Sequence, residues 1–209
     1  MGGWEESAHE QEAAWVLTPD ISHGGKVYEA CAVCHMPEGW GTPNGAYPQI
    51  AGQHRSVIIK QLADIRAGNR DNPSMYPFSV PEEIGGAQSI ADLAAYIEQL
   101  KMTRATGKGD GTDLAYGASL YRNNCVDCHG ERGEGNGEKA YPRLQGQHYH
   151  YLLRQLTWIQ SGKRRNANQE MMRQIRHLTL REFKALSDYV SRMVPDADRL
   201  SPYTWQDRR

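Results

Sequence analysis

The sequence predicts an all-α protein of two small helical domains in tandem, and three observations lead there. Sliding the 209-residue chain by 94 positions lays its second half over its first. Apolar residues recur at helical spacing on the aligned segments, and no stretch longer than a few residues alternates as a strand would. The longest match pairs Pro48-Gln49-Ile50-Ala51-Gly52-Gln53-His54 with Pro142-Arg143-Leu144-Gln145-Gly146-Gln147-His148. Gln61-Leu62 then falls on Gln155-Leu156, Gly68-Asn69-Arg70 on Gly162-Lys163-Arg164, and Asn72 on Asn166. Gly24 and Tyr28 meet Gly117 and Tyr121 at an offset of 93, as Leu93 to Ile97 meets Leu186 to Val190; small loop insertions explain the slip.

Taken in order, a short helix is expected to end at Cys31 and its counterpart at Cys125, with Thr112 capping the second. The next helix runs from about His54 to Ala67, with Val57, Ile58, Leu62 and Ile65 on one stripe and Gly68 stopping it. Its partner spans about His148 to Ser161, with Leu152, Leu156 and Ile159 apolar and Gly162 behind. The stretch around Met75, between Pro73 and Pro77, is too proline-rich for helix. The last helix of each half opens on a capping-box pattern, Ser89-Ile90-Ala91-Asp92 in a weaker form and Thr179-Leu180-Arg181-Glu182. The expected division is an extension at 1–19, a first domain at 20–103, a Gly-rich polar linker at 104–111, a second domain at 112–194 and a tail at 195–209. Trp4, Trp15, Val16 and Leu17 would dock the extension as a flap, and the Arg-ended tail is expected to be mobile.

All four cysteines fall in two copies of one pattern, Cys31-Ala-Val-Cys34-His35 and Cys125-Val-Asp-Cys128-His129. C-x-x-C-H is the attachment signature of a c-type haem: two thiols add across the porphyrin vinyl groups and the histidine binds iron from one face. The competing readings are a zinc site, a redox dithiol and structural disulfides. Zinc needs four converging ligands, and two Cys-Cys-His sets would leave spares; a redox pair does not require the histidine. The reading is two covalently attached haem c groups, bound through Cys31, Cys34, Cys125 and Cys128, with His35 and His129 on iron.

Composition fits. Hydrophobic residues make up 39% of the chain and only two are Phe, a thin supply for two cores that an apolar porphyrin disc would supplement. No run approaches the roughly 18 apolar residues of a membrane span. Met1-Gly2-Gly3-Trp4-Glu5-Glu6 lacks the basic start and apolar stretch of a signal peptide. Because haem c is attached outside the bacterial cytoplasm, a periplasmic protein with its leader removed is expected. Residues 1–103 carry 6 Lys/Arg against 13 Asp/Glu, and residues 104–209 carry 18 against 12, so the halves have opposite charge. Such a dipole would orient the molecule on partners and change association rates more than fold. Net charge gives no reason to expect nucleic acid, and no nucleotide-binding, Ser-His-Asp or paired-carboxylate pattern stands out.

The paired C-x-x-C-H motifs, the P-x-[IL]-x-G-Q-H segment after each, and the G-x-R-x-N turn make the chain resemble the di-haem cytochrome c4 family, built from two class I cytochrome c domains. The resemblance covers about residues 20–194. It implies that Gly24/Tyr28 and Gly117/Tyr121 belong to a first helix packed on an aromatic of the last, Tyr96 or Tyr189. It implies a methionine ligand some forty residues beyond each iron histidine. Met75 lies at that distance in the first half; Met36 would be held on the wrong side and Met102 ends the last helix. In the second half Met171 and Met172 compete, and the spacing to Ile175 favours Met172. His150 and His177 are the alternative, imidazole ligands, but are read as ordinary polar residues or supports behind the ligands. Pro48 and Pro142, each 13 residues after the histidine, would accept the imidazole N–H. Arg70 and Arg164 are read as solvated, with pairing to propionates the alternative. His54 and His148 are divided between structural hydrogen bonding and a proton-coupled role. The implied function is single-electron transfer between redox proteins, a donor and a terminal oxidase or other acceptor, with docking to membrane-bound complexes possible. The rivals are a haem subunit of an oxidoreductase complex, such as flavocytochrome c sulfide dehydrogenase, and a di-haem peroxidase.

Overall fold

The duplication in sequence is a duplication of helices. The structure, a computed structural model, describes residues 2–205, with side chains described from Glu5 onward. The first half contains α1 (Gly2–Val16), α2 (Ile21–His35), α3 (Arg55–Arg66), α4 (Pro81–Ile84) and α5 (Ala87–Gln99). The second contains α6 (Leu114–Asn124), α7 (Val126–His129), α8 (Tyr149–Gln160), α9 (Gln169–Ile175) and α10 (Leu180–Ser191). Among the described residues there is no strand, only two isolated bridges.

In the first half α2 and α5 cross at a glycine, and in the second half α6 and α10 do the same. A Cβ on Gly24 would overlap the Asp92 carbonyl, and one on Gly117 the Ala185 carbonyl, so only glycine lets the backbones approach this closely. Tyr28 then lies 5.3 Å from Tyr96, and Tyr121 lies 5.8 Å from Tyr189, as the resemblance implied. Around these crossings Ile58, Ile59, Leu62, Ile90 and Leu93 form one core, and Leu120, Leu152, Ile159, Phe183 and Leu186 the other. Each such side chain contributes about 1.5–3 kcal/mol on burial. The helices that pack substantially on one another do so within one half, so the halves meet mainly through loops and polar side chains.

Several local expectations are corrected. No proline and no Asn pair stands between Gly25 and His35, so α2 runs on through the Cys31–His35 motif; in the second half α6 stops after Asn123-Asn124, weak helix formers, and α7 begins afresh. Thr112 is no cap: Asp113 holds the N-cap position, its carboxylate engaged by Arg181 at 3.0 Å. Thr179 and Glu182 do form the capping box, but α5 starts earlier, after Gly86, and leaves Ser89 inside the helix. Asp92 serves α2 instead, accepting from the Asp20 N–H at 2.8 Å and bonding His23 Nδ1 at 2.7 Å. Met75 caps a 3-10 turn at Tyr76–Phe78, so the proline-rich stretch is not wholly irregular.

The extension docks with Leu17 packed on the first core as expected, and otherwise through residues other than those expected. Ala14 is fully buried, Ser7 donates to Asp64 at 2.7 Å, and Arg66 pairs with Glu10, while Trp15 and Val16 stay 45% and 79% exposed. Arg55 Nη2 donates to the Ala14 and Leu17 carbonyls at 2.9 and 2.8 Å, satisfying acceptors that the end of α1 leaves open. Trp4 lies outside the described side chains. The tail, expected to be mobile, is held as far as Trp205: Met102 and Leu200 form a bridge, and the Trp205 ring meets Trp40 edge-on at 5.2 Å. The linker is a bonded strap, with the Gly109 and Gly111 N–H groups both donating to Asp188.

Candidate functional site

Each C-x-x-C-H motif delivers its histidine to the same environment. His35 and His129 are 5% and 6% exposed, and each Nδ1 lies 3.0 Å from the carbonyl of Pro48 or Pro142. A carbonyl can only accept, so Nδ1 carries the proton and Nε2 keeps a lone pair free for a metal. Burial pushes both imidazoles below their ordinary pKa, the proline carbonyls opposing it, which keeps them neutral. Tyr28 and Tyr121 brace the turn that follows, donating to the Met36 carbonyl at 2.7 Å and the Gly130 carbonyl at 2.6 Å.

The four thiols are free and partly exposed. Burial, reinforced by the neighbouring Cys34 or Cys128, pushes Cys31 up to about 11 and Cys125 up to about 12, so both stand as neutral thiols. Among the described residues no three His, Cys, Asp or Glu side chains converge as a metal-ligand cluster. Two thiols and one neutral histidine, repeated, fit covalent haem. Met75 packs against the first core, and Met171 and Met172 both pack against the second, carried on α9. Met172 also lines a hollow of about 680 Å³ with Arg165, Arg173 and Arg176. His150 and His177 are exposed.

The repeated P-x-[IL]-x-G-Q-H segments face each other across the junction of the halves and exchange matching hydrogen bonds. Gln147 Oε1 accepts from the Gln49 N–H at 3.0 Å while its Nε2 donates to the Gln49 carbonyl at 2.8 Å. Gln53 does the same to Arg143, at 2.8 and 3.0 Å. His148 reaches the Trp40 carbonyl at 2.7 Å, and His54 the Glu134 carbonyl at 2.8 Å. The Gly107 N–H donates to His148 Nδ1 at 3.1 Å, so His148 is neutral with its proton on Nε2. Both histidines therefore serve as hydrogen-bonding struts between the halves. The sequence showed these glutamines as a repeat without indicating their role.

Arg70 and Arg164 are half-buried, not free in solvent. They meet in a shared network, Arg164 bonding Gln155 at 2.8 Å and Gln61 at 3.0 Å, and Arg70 bonding Gln61 at 2.8 Å and Tyr151 at 3.3 Å. Burial, and then the charge of Arg70, pushes Arg164 down to about 9. Burial would raise the Tyr151 phenol, but Arg70 and Arg164 outweigh it and hold it below its usual value. Two guanidiniums this close favour an anion beside them. That suits a group bearing carboxylates, as haem does. Tyr151 stands where the first half has Val57, so no repeat marked it.

The cytochrome c family model matches residues 21–101 and 114–193. The cytochrome c4 of Azotobacter vinelandii is 36% identical over 188 residues, spanning 82% of this chain and 88% of that protein. A thiosulfate dehydrogenase electron acceptor of Stutzerimonas stutzeri is 32% identical over 167 residues, 77% of each chain. The solved structure of reduced recombinant cytochrome c4 from Pseudomonas stutzeri superposes with a TM-score of 0.74 at 27% identity, over 84% of this chain and 100% of that one.

Proposed function

The chain belongs to the di-haem cytochrome c4 family and is an electron-transfer protein with two covalently attached haem c groups, and from that premise we propose that it passes single electrons between periplasmic or membrane-facing redox proteins. Haem c, when bound, supplies a one-electron ferric/ferrous couple. Cys31 with Cys34, and Cys125 with Cys128, would tether one group each; His35 and His129 would ligate iron through Nε2, and Met75 and Met172 would supply the second protein ligand of each iron. An iron held by both imidazole and thioether would leave no position for substrate, which separates this reading from a peroxidase. Arg70, Arg164 and Tyr151 would receive the propionates where the halves meet. The observation that carries the reading is the pair of buried histidines, each held by Nδ1 to a proline carbonyl at 3.0 Å with Nε2 left over.

Among the described residues no helix is long and apolar enough to cross a membrane, so a membrane-bound partner would be met by docking. The acidic first half suits a basic partner and the basic second half an acidic one. Stopped-flow mixing with one partner of each kind tests this: electron-transfer rates fall as salt rises, and rates indifferent to salt would remove the charge argument. A second reading, a haem subunit held in a thiosulfate-oxidising complex, is favoured by the 32% identity to a thiosulfate dehydrogenase electron acceptor. The helix α1, which precedes the family match, would be the docking element. Purification as a stable monomer counts against it.

A further inference from the structure

The glutamine bonds across the junction bear on more than docking, because of which peptide groups they hold. The carbonyl of Pro48 and the N–H of Gln49 belong to one peptide unit. That carbonyl bonds His35 Nδ1 at 3.0 Å, and that N–H is held by Gln147 from the opposite half at 3.0 Å. The second half repeats the chain of contacts: His129 to the Pro142 carbonyl at 3.0 Å, and the Arg143 N–H to Gln53 at 2.8 Å. The glutamine orientation is fixed, since Gln147 Oε1 faces two N–H donors, Gln49 and His148, and Gln53 Oε1 likewise faces Arg143 and His54. Gln49 and Gln147 are 4% and 7% exposed, so little water competes. Side-chain donors add further ties, Arg143 Nε to the Gly52 carbonyl at 3.0 Å and Gln49 Nε2 to the Gly146 carbonyl.

We infer that Gln147 and Gln53 are positioning residues that set the basicity of the iron histidine in the opposite half, acting through the proline peptide each one polarises. An acceptor on the N–H side of a peptide draws electron density onto its carbonyl oxygen, and successive hydrogen bonds strengthen one another. A stronger acceptor at Pro48 makes the His35 imidazole a better donor to iron, which favours the ferric state. Each half thereby tunes the other's redox centre. The inference rests on the ligand assignment above.

The test uses the holoprotein and two variants, Gln147→Met and Gln53→Met. In the reduced, diamagnetic protein the Nδ1–H proton of His35 moves upfield in Gln147→Met while that of His129 stays, and Gln53→Met does the reverse. In a redox titration each variant raises one of the two couples, and not the same one. Unmoved Nδ1–H signals, or both couples shifting together in each variant, overturn the inference. Gln147→Glu and Gln53→Glu keep the accepting oxygen and serve as rescue. Their Nδ1–H signals stay at or downfield of the wild-type position, an upfield move there also overturns the inference, and this pair decides the matter if the Met variants do not fold. A wild-type protein without two ferrous haem spectra would instead sink the ligand assignment.

Discussion

At the scale of single residues, one contrast between the halves is costly. The residue after each iron histidine must take a positive φ so that the chain can turn back toward its proline. Gly130 does so at φ 78° and ψ 165°, but in the first half Met36 holds φ 67° and ψ 157°, a region that is essentially glycine's own. Met36→Gly should therefore raise stability by about 1 kcal/mol, the relief of about 1–3 kcal/mol being partly offset by glycine's greater freedom when unfolded. Urea unfolding checks it, and an unchanged or lower midpoint would contradict it. His148 gives a pH signature. Burial lowers its pKa, partly opposed by the Trp40 carbonyl, so below the unfolded value of about 6.5 the folded state binds fewer protons than the unfolded chain. Stability is full above that value and falls as pH drops from about 7 toward the folded pKa, because protonation removes the acceptor for the Gly107 N–H. In His148→Gln the dependence of the urea midpoint between pH 7 and 5 flattens; equal slopes would show that the residue plays no part.

At the scale of helices, the glycine crossings carry the two domains. Gly24→Ala and Gly117→Ala each place a methyl group against a backbone carbonyl that cannot swing aside, and each should cost about 3 kcal/mol or more. Thermal melts test this; a loss under about 1 kcal/mol would mean the crossing relaxes. Glu182 gives a gentler signal at the start of α10. The Thr179 N–H, then Tyr116 and the Thr179 hydroxyl, hold its carboxyl down to about 2. That stabilisation is present above the ordinary carboxylate range and is lost as pH falls through about 2, a slope that Glu182→Gln removes. These elements were legible for definite reasons. The apolar stripe of α3, the Thr179-x-x-Glu182 box and the duplicated Gly24 and Gly117 are local patterns, each readable without knowing the rest of the fold. The Ser89 box failed because Asp92 answers to a more distant demand, and the Thr112 cap because α6 begins one position later, on Asp113. Asp92 is claimed by α2, 72 residues earlier, and Asp113 is held by Arg181, 68 residues on.

At the scale of the molecule, the candidate ligands were readable because haem attachment is written in contiguous residues and repeated at one offset. The junction was not, because it is made by pairings some 80–108 residues apart between residues that look ordinary alone. Only the duplication hinted at it: a segment repeated this closely, in which Gln and His recur without an obvious chemical task, is the mark of a two-fold interface within one chain. The docked tail was missed for a similar reason, since Trp205 finds Trp40 only once both halves are folded. The account as a whole stands on one covalent haem per half, ligated by histidine and methionine, and a single spectroscopic titration of the purified holoprotein tests it. Intact mass should equal the polypeptide plus two porphyrins, and the ferric spectrum should carry a methionine-to-iron charge-transfer band that Met75→Ala and Met172→Ala each halve while Met171→Ala leaves it whole. A mass short of two porphyrins, or a band halved by Met171→Ala and untouched by Met172→Ala, would contradict it.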